Sequence, residues 1–537
     1  MHILILCAGI SAGCLLAARI LIHYFQLESY QHPGYFRTLR RNPLKSVLPG
    51  CCMTVLLIAA WNLAQLLFVN RWLNCGFTAL AMIVGGCFCG KLLSEKKAKK
   101  KLVYTPRMKR LYAVSFVVMT AILMLIVSFV PSAGTETSAG SRIPAALFLF
   151  SPALLPVWIA LCGLLAWPIE KAISELYFRD AQRILKSRND LIRIGITGSW
   201  GKTSVKFILG TLLEEKYHTL VTPASFNTPM GVTKVIRSRL EPGHRIFVAE
   251  MGARHVGDIR EMCRLVHPVI GILTSVGPQH LDTFRTVERV ARTKYELIDA
   301  LPADGTAFFA DDGDLCRKLY DKTGKEKWLS GLDPDADDLW AEEITVSENG
   351  STFCLCNGKA KQPCHTALLG ELNIRNIVLC ASVCLKLGLT MEQIARGIGK
   401  IQPIEHRLQL IPNPGGLTVI DDAFNSNIRG AEQAFSVLKQ MQGTRILVTP
   451  GMVELGEREE EMNRSFGSMA AEACDLAILV GKKRSAAIAE GFRAKGFPEG
   501  KIIITHTLEE AAEKIKTIAK PGDTVLFEND LPDHYTE

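Results

Sequence analysis

Five apolar runs, at residues 3–23, 46–69, 72–93, 111–130 and 143–167, fill the first third of this chain. Each is near the ~20 residues that a helix needs to cross a bilayer core. Inside lipid every backbone N–H and C=O must be paired within its own segment, so such runs can only be helices. A soluble core helix normally keeps one polar side, and these runs keep none. A cleavable leader does not explain the first run, because further apolar runs follow at once. The expectation is a multi-pass α-helical membrane region over 1–167, with about five spans.

The loop charges orient it. Arg37, Arg40, Arg41 and Lys45 lie between the first two runs, and Lys96, Lys97, Lys99, Lys100, Lys101, Arg107, Lys109 and Arg110 between the third and fourth. The remaining loops hold only Arg71 in one and Glu136 with Arg142 in the other. Basic loops stay on the cytoplasmic side. Five spans in a cell membrane then place the N-terminus outside and residue 168 onward in the cytoplasm. The net charge of +9 comes largely from these loops, so anionic membrane lipids are the expected partners and nucleic acid is not.

The 16 cysteines are scattered, and a cytoplasmic setting keeps thiols reduced. Cys354, Cys356, Cys364 and His365 lack the paired C-x₂-C hooks of a zinc site. Buried cysteines in a β-rich insert are expected there instead.

Residues 168–190 read as an amphipathic linker helix. Beyond them short apolar runs alternate with helical stretches. Runs at 191–197, 245–250, 269–276 and 305–310 alternate with helices near 203–216, 257–266 and 286–300, a βαβ pattern with a mostly parallel sheet. A less regular stretch near 326–370 suggests a small antiparallel insert, followed by a helix near 372–387. A second alternation starts near 417, with five strands and four helices. The fold class is therefore a helical membrane region followed by α/β: a central phosphate-loop domain over 191–408 and a Rossmann-like C-terminal domain over 409–537.

The run Thr197-Gly198-Ser199-Trp200-Gly201-Lys202-Thr203-Ser204 joins the first of these strands to its helix. Glycines let backbone N–H groups close around phosphate oxygens, and the helix N-terminus favours anions. Lys202 would reach the β/γ-phosphates and Thr203 would bind Mg²⁺. Ile196 stands where the strict pattern has its first glycine. ATP and Mg²⁺ are the expected cofactors.

Further motifs fall at strand ends and on helices: Asn227 to Val232, Val248 to Ala253, Thr274 to Asp282, Ala291 to Glu296, Gly370 to Asn376, Glu405-His406-Arg407 and Asp421 to Asn427. In this order they resemble the Mur ligase family of ATP-dependent amide-bond-forming enzymes, over about residues 190–527. Among its members the pattern is most similar to those adding D-alanyl-D-alanine to the peptidoglycan precursor tripeptide. The resemblance implies a set of roles. Gly198, Ser199, Gly201, Lys202, Thr203 and Ser204 would cradle phosphate. Thr203 and Glu250 would bind one Mg²⁺, and His280 would help to bind a second. Lys294 matches a lysine that many members carbamylate, giving an anion that orients metal. Asn376 would face adenine, Arg407 would reach the phosphates, Asp422 would hold the ribose, and Asn425 would lie beside the nucleotide.

Two departures bear on the substrate. Soluble members begin with a domain that grips a uridine nucleotide, where this chain has apolar runs, so the acceptor is expected to be UDP-linked or lipid-linked. A basic turn after the last strand is replaced by Glu528-Asn529-Asp530, which bears on the dipeptide or amino-acid amine. Other wall-synthesis enzymes are candidate partners. The alternatives are a relative that joins another amine and a non-catalytic nucleotide-binding scaffold.

Overall fold

The computed structural model describes residues 1–94, 102–129, 139–223, 226–312, 314–347, 350–358, 360–403, 405–411, 415–423, 428–453, 455, 458–481 and 483–529. They form two compact units, Met1–Glu175 and Leu176–Glu537. The lysine cluster at 96–101 and Asn425, expected beside the nucleotide, lie outside the described residues.

The first unit is helical. Pro43–Leu67, Arg71–Leu92 and Pro106–Ser128 overlie three of the predicted runs. The first run becomes His2–Ala17 and Arg19–Leu27, bent by 55°. The last becomes Ala139–Phe150, a 3-10 turn at Ser151–Leu154, and the helix Leu155–Lys186. Pro152 sits in that turn, where its missing N–H interrupts the helical ladder. Among the described residues, four helices are long and apolar enough to cross a membrane, or five if the bent pair is one span. The helix Leu155–Lys186 runs unbroken through residue 168, where the sequence suggested a separate linker, and the two units divide within it.

Side chains in this unit are sorted by fit. Leu66, Val69, Leu80 and Phe88 are exposed, while Ser11, Thr78 and Ser115 are buried. Gly9 faces Ala79, Gly13 faces Met82 and Gly86, and Gly90 faces Leu16. The helices His2–Ala17 and Arg71–Leu92 therefore run parallel. A Cβ at Gly13 or Gly86 would strike the facing backbone, so these glycines set how closely the pair packs. Arg110 clamps the buried Glu170 with two bonds, 2.5 Å from Nε and 2.8 Å from Nη2.

The second unit holds two sheets. The strands of the larger are β1 (Ile192–Thr197), β2 (Thr219–Val221), β3 (Ile246–Glu250), β4 (Ile270–Leu273), β5 (Thr306–Ala310), β6 (Glu326–Gly331), β7 (Leu339–Ser347), β8 (Gly350–Cys356) and β9 (Lys361–Thr366). They lie in the order β2-β3-β1-β4-β5-β6-β7-β8-β9. Pairing is parallel through β7 and antiparallel for β7–β8–β9. The expected insert is thus a continuation of the same sheet, joined where Ser330 and Gly331 pair with Leu339 and Trp340. Alternate residues feed two cores, as a strand's period of two requires. Ile194, Ile196 and Val248 pack on one face, and Phe247, Ala249 and Leu273 on the other. From β1 the chain runs outward to β2, returns through β3 beside β1, and then crosses to β4 on the other side of β1. In open α/β sheets, ligands bind at such a reversal, beyond the carboxyl ends of the strands.

The smaller sheet contains β10 (Gln409–Ile411), β11 (Thr418–Asp422), β12 (Arg445–Thr449), β13 (Leu476–Val480), β14 (Ile502–Thr505) and β15 (Thr524–Glu528). Its order is β10-β11-β15-β12-β13-β14. The sequence anticipated the last five strands; the short β10 adds an antiparallel edge. The last strand lies between β11 and β12, which brings the ends of three strands together at Asp422, Glu528 and Thr449.

Candidate active site

The turn after β1 begins at Gly198, where a Cβ would lie 3.0 Å from the Ser275 nitrogen. Only glycine lets the two loops approach this closely. Gly201 caps the helix Lys202–Leu213 at φ 81°, a conformation that glycine adopts without strain. Val205 is the first residue of that helix whose N–H reaches back to a carbonyl, that of Gly201 at 2.8 Å. The N–H groups of Lys202, Thr203 and Ser204 therefore stand at the open end of the helix as anion donors. The half-buried Lys202 folds over the turn and donates to the carbonyls of Gly198 (2.6 Å) and Ser199 (3.1 Å).

The loop after β4 braces this turn. The Ser199 N–H donates to the Ser275 carbonyl (3.0 Å) and the Trp200 N–H to Ser275 Oγ (2.8 Å). The buried Ser199 hydroxyl engages both the carbonyl and the N–H of Gly277, each at 3.0 Å. It therefore serves loop geometry in this structure.

Glu250 ends β3 and is almost wholly buried. Its Oε2 accepts from Thr203 Oγ1 (3.1 Å) and Lys206 Nζ (3.0 Å), and its Oε1 from Asn227 Nδ2 (3.1 Å). Burial opposes its ionisation, but Lys206, Lys202 and the hydrogen bonds outweigh that and hold its pKa below the usual carboxylate value. Sequence reasoning assigned no role to Lys206. The available signal was its place among Val205, Ile208 and Leu209, which line the buried face of the helix.

Lys294 lies on the helix Val287–Asp299 and is 1% exposed. Burial, reinforced by the positive charge of Lys202, drives its pKa well below the ordinary lysine value against the pull of Asp258 and Glu250. Burial likewise pulls Lys202 down to about 8; Glu250 opposes this and Arg407 adds to it. A neutral lysine amine has a free lone pair, the form that reacts with CO₂ to give a carbamate. Two residues on, Glu296 caps another helix by accepting from the N–H groups of Gly257 and Arg260, both at 3.0 Å. Its burial is thus explained by structure alone. His280 takes a left-handed conformation, φ 51°, at the start of the short helix Leu281–Phe284.

Arg407 stands at the edge of the C-terminal domain, two residues before β10, and Asp422 at the end of β11. Leu408 N–H donates to Asp422 Oδ1 (3.1 Å), and His406 Nδ1 pairs with Asp421 Oδ2 (2.6 Å). These bonds fasten the chain crossing between the domains to the end of β11. Burial raises the Asp422 pKa to about 6 despite Arg407. Arg407 is itself lowered, by burial first, with Asp422 and Glu250 opposing. The mutual influence of Lys202, Glu250, Arg407 and Asp422 brings charges from both domains to the end of β1.

A cleft of about 1090 Å³ opens beside the turn, lined by Trp200, Thr274, Gly277 and Asn376 of the central domain and by Ile428 and Met462 of the C-terminal one. Asn376 is buried, with its Oδ1 3.2 Å from where a Cβ on Gly201 would be. The cleft is large enough for a nucleotide. Among the described residues no cluster of three His, Cys, Asp or Glu could hold a metal. This applies to the cysteines of β8 and β9, of which Cys356 and Cys364 are buried in the sheet. The hydroxyl of Thr203 and the carboxylate of Glu250, 3.1 Å apart, suit Mg²⁺, which keeps its waters and relies on few carboxylates plus phosphate oxygens.

Comparison with known proteins agrees with this arrangement. Residues 196–384 match the Mur ligase middle domain and residues 406–528 the Mur ligase, glutamate ligase domain. The chain is 29% identical over 332 residues to the UDP-N-acetylmuramoyl-tripeptide–D-alanyl-D-alanine ligase of Escherichia coli, covering 61% of this chain and 73% of that one. The Mycobacterium bovis protein of the same name is 30% identical over 355 residues, covering 62% and 69%. Among solved structures, MurF from Acinetobacter baumannii superposes with a TM-score of 0.61 at 24% identity, over 67% of this chain and 78% of that one. MurF from Thermotoga maritima in complex with ADP gives 0.60 at 24% identity, over 66% and 80%. These two likenesses concern the fold. Taken with the site's geometry, the domain matches and the identity to these relatives place this chain in the Mur ligase family of ATP-dependent enzymes that form amide bonds.

Proposed function

We propose that this chain is a membrane-anchored ligase that adds D-alanyl-D-alanine to the muramoyl tripeptide of a peptidoglycan precursor. The observation that carries the reading is the gathering of Lys202, Glu250, Lys294 and Arg407 at the carboxyl end of β1. The names of the relatives supply the substrate class. A carboxylate does not react usefully with an amine in water, because hydroxide is a poor leaving group. Transfer of the γ-phosphoryl group of ATP to the tripeptide carboxylate gives an acyl phosphate and ADP. The amine of the dipeptide then attacks, and phosphate leaves with the amide formed.

The first step brings anions together, so fixed positive charge is what the site must supply. Lys202 and the N–H groups of residues 202–204 would hold the β/γ-phosphates. Arg407 would approach them from the C-terminal domain, which would shield the acyl phosphate from water. Asn376 would meet the adenine and Asp422 the ribose. Thr203 and Glu250 would hold one Mg²⁺, His280 and a carbamylated Lys294 would help with a second, and the ions would neutralise phosphate charge. The amine of Lys294, whose pKa burial lowers well below the ordinary lysine value, is suited to carbamylation.

The family match begins at residue 196, and apolar helices occupy the place of a nucleotide-gripping domain. That supports an acceptor met at the membrane, in lipid-linked form. The test is ATP-dependent phosphate release by detergent-solubilised protein with UDP-linked or lipid-linked muramoyl tripeptide, with and without D-alanyl-D-alanine. The expected product is the lipid-linked acceptor heavier by one dipeptide, seen by mass spectrometry. Turnover of the UDP-linked acceptor alone would assign a soluble substrate, and nucleotide binding without turnover of either would overturn the reading.

A further inference from the structure

We infer that Lys206 is a resident cation of the metal site, which neutralises Glu250 so that the divalent ion is captured only together with the nucleotide. The inference rests on the assignment of Glu250 to Mg²⁺ proposed above.

Lys206 is wholly buried, and its Nζ lies 3.0 Å from Glu250 Oε2. Lys202 is four residues earlier on the same helix, so Lys206 sits one turn deeper, behind the carboxylate. The side chains beside it, Val205, Ile208 and Leu209, are buried and apolar. A methionine or leucine would pack in such surroundings without the cost of burying an ammonium group. The charge therefore has a use other than packing, and it forms an ion pair with Glu250.

Both oxygens of the carboxylate are engaged from the protein side. Oε2 takes Lys206 and Thr203, and Oε1 takes Asn227. A free divalent ion approaching Glu250 meets a pair with no net charge, and an ammonium group that repels it. An ion arriving on nucleotide phosphates brings its own negative charge and needs the carboxylate for little more than alignment. The fixed cation also favours the phosphates. Lys206 thus acts as a positioning residue that selects the metal–nucleotide complex over the bare ion.

The test uses the full chain in detergent, with Mn²⁺ as the probe and free Mn²⁺ read by electron paramagnetic resonance. Wild type is expected to bind Mn²⁺ weakly alone and at least about tenfold more tightly with the β,γ-imido analogue of ATP, since nearby charges dominate affinity at short range. Lys206→Met should bind Mn²⁺ alone about tenfold more tightly than wild type, and Lys206→Arg should restore the nucleotide dependence. Equal Mn²⁺ affinity in wild type with and without the analogue would overturn the inference, whether or not the variants fold. So would a folded Lys206→Met that binds Mn²⁺ alone no better than wild type. Glu250→Gln separates the two readings: if it keeps nucleotide-dependent Mn²⁺ binding, the metal assignment fails, independently of Lys206.

Discussion

Glu170 in the helical unit and Glu250 in the ligase unit are both buried carboxylates held by a basic side chain, yet their settings differ. Glu170 is clamped by Arg110, whose side chain is 37% exposed, and lies within 3.9 Å of Arg107. Glu250 meets a lysine with no exposure at all. The first pair joins two helices near their basic ends and keeps one partner at the surface. The second pair buries both charges, which the handful of surrounding hydrogen bonds must offset. The apolar surroundings contrast in the same way. The ligase unit buries most of its large apolar side chains, whereas the helical unit buries an apolar core and also exposes many large apolar side chains, Leu66, Leu80 and Phe88 among them. Charge in the first unit ties helices together, and charge in the second is concentrated where phosphate would be.

Removing single groups should separate the two units. Lys202→Met should lower ligase turnover by about 10²–10³-fold, the scale for losing a preorganised charge on developing anions. Phosphate release would measure it, while thermal melting of the helical unit should not move. Lys294→Ala should cost about 10²-fold, and added bicarbonate should not restore it. A carbamate carbon resonance in ¹³CO₂-treated wild type should be missing from this variant. Full activity of Lys294→Ala would discard the carbamate.

Gly86→Leu should act on the other unit, costing about 1–3 kcal/mol through a forced separation of two helices. Melting in detergent would record the loss, with ADP binding unchanged. A fall in ADP affinity as large as that of Lys202→Met would break the separation of the units. The smallest effect concerns pH. Burial lowers the Lys202 pKa to about 8, so its positive charge is present below that value and lost above it. A cation that binds phosphate must be protonated, so ADP affinity should weaken as pH rises past about 8, by at most about tenfold per unit. In Lys202→Met this step should be absent.

Much of this was legible in the residues. The glycine turn, Lys202, Thr203 and Glu250 fall where a strand–turn–helix grammar places them, because local spacing alone fixes a turn and a helix start. The apolar runs are helices, as their length and unbroken apolar character suggested. Other features were not legible. The bend at Ala18 has no glycine or proline beside it to announce it. The β7–β9 strands read as a separate insert, because strand pairing is a long-range choice that periodicity does not encode. The bonds of the Ser199 hydroxyl to Gly277 were not legible either, because the two residues lie 78 apart on separate loops.

The sequence by itself determined the order of elements, the apolar character of the first unit and the chemical types at the turn. Those depend on composition and on residues close along the chain. Only the tertiary structure decided that Lys206 would meet Glu250 across 44 residues. It also decided that Arg407 and Asp422 from the C-terminal domain would act on charges at the end of β1. A buried charge gains its partner when separate strands pack, and no local pattern in the chain records which partner that will be.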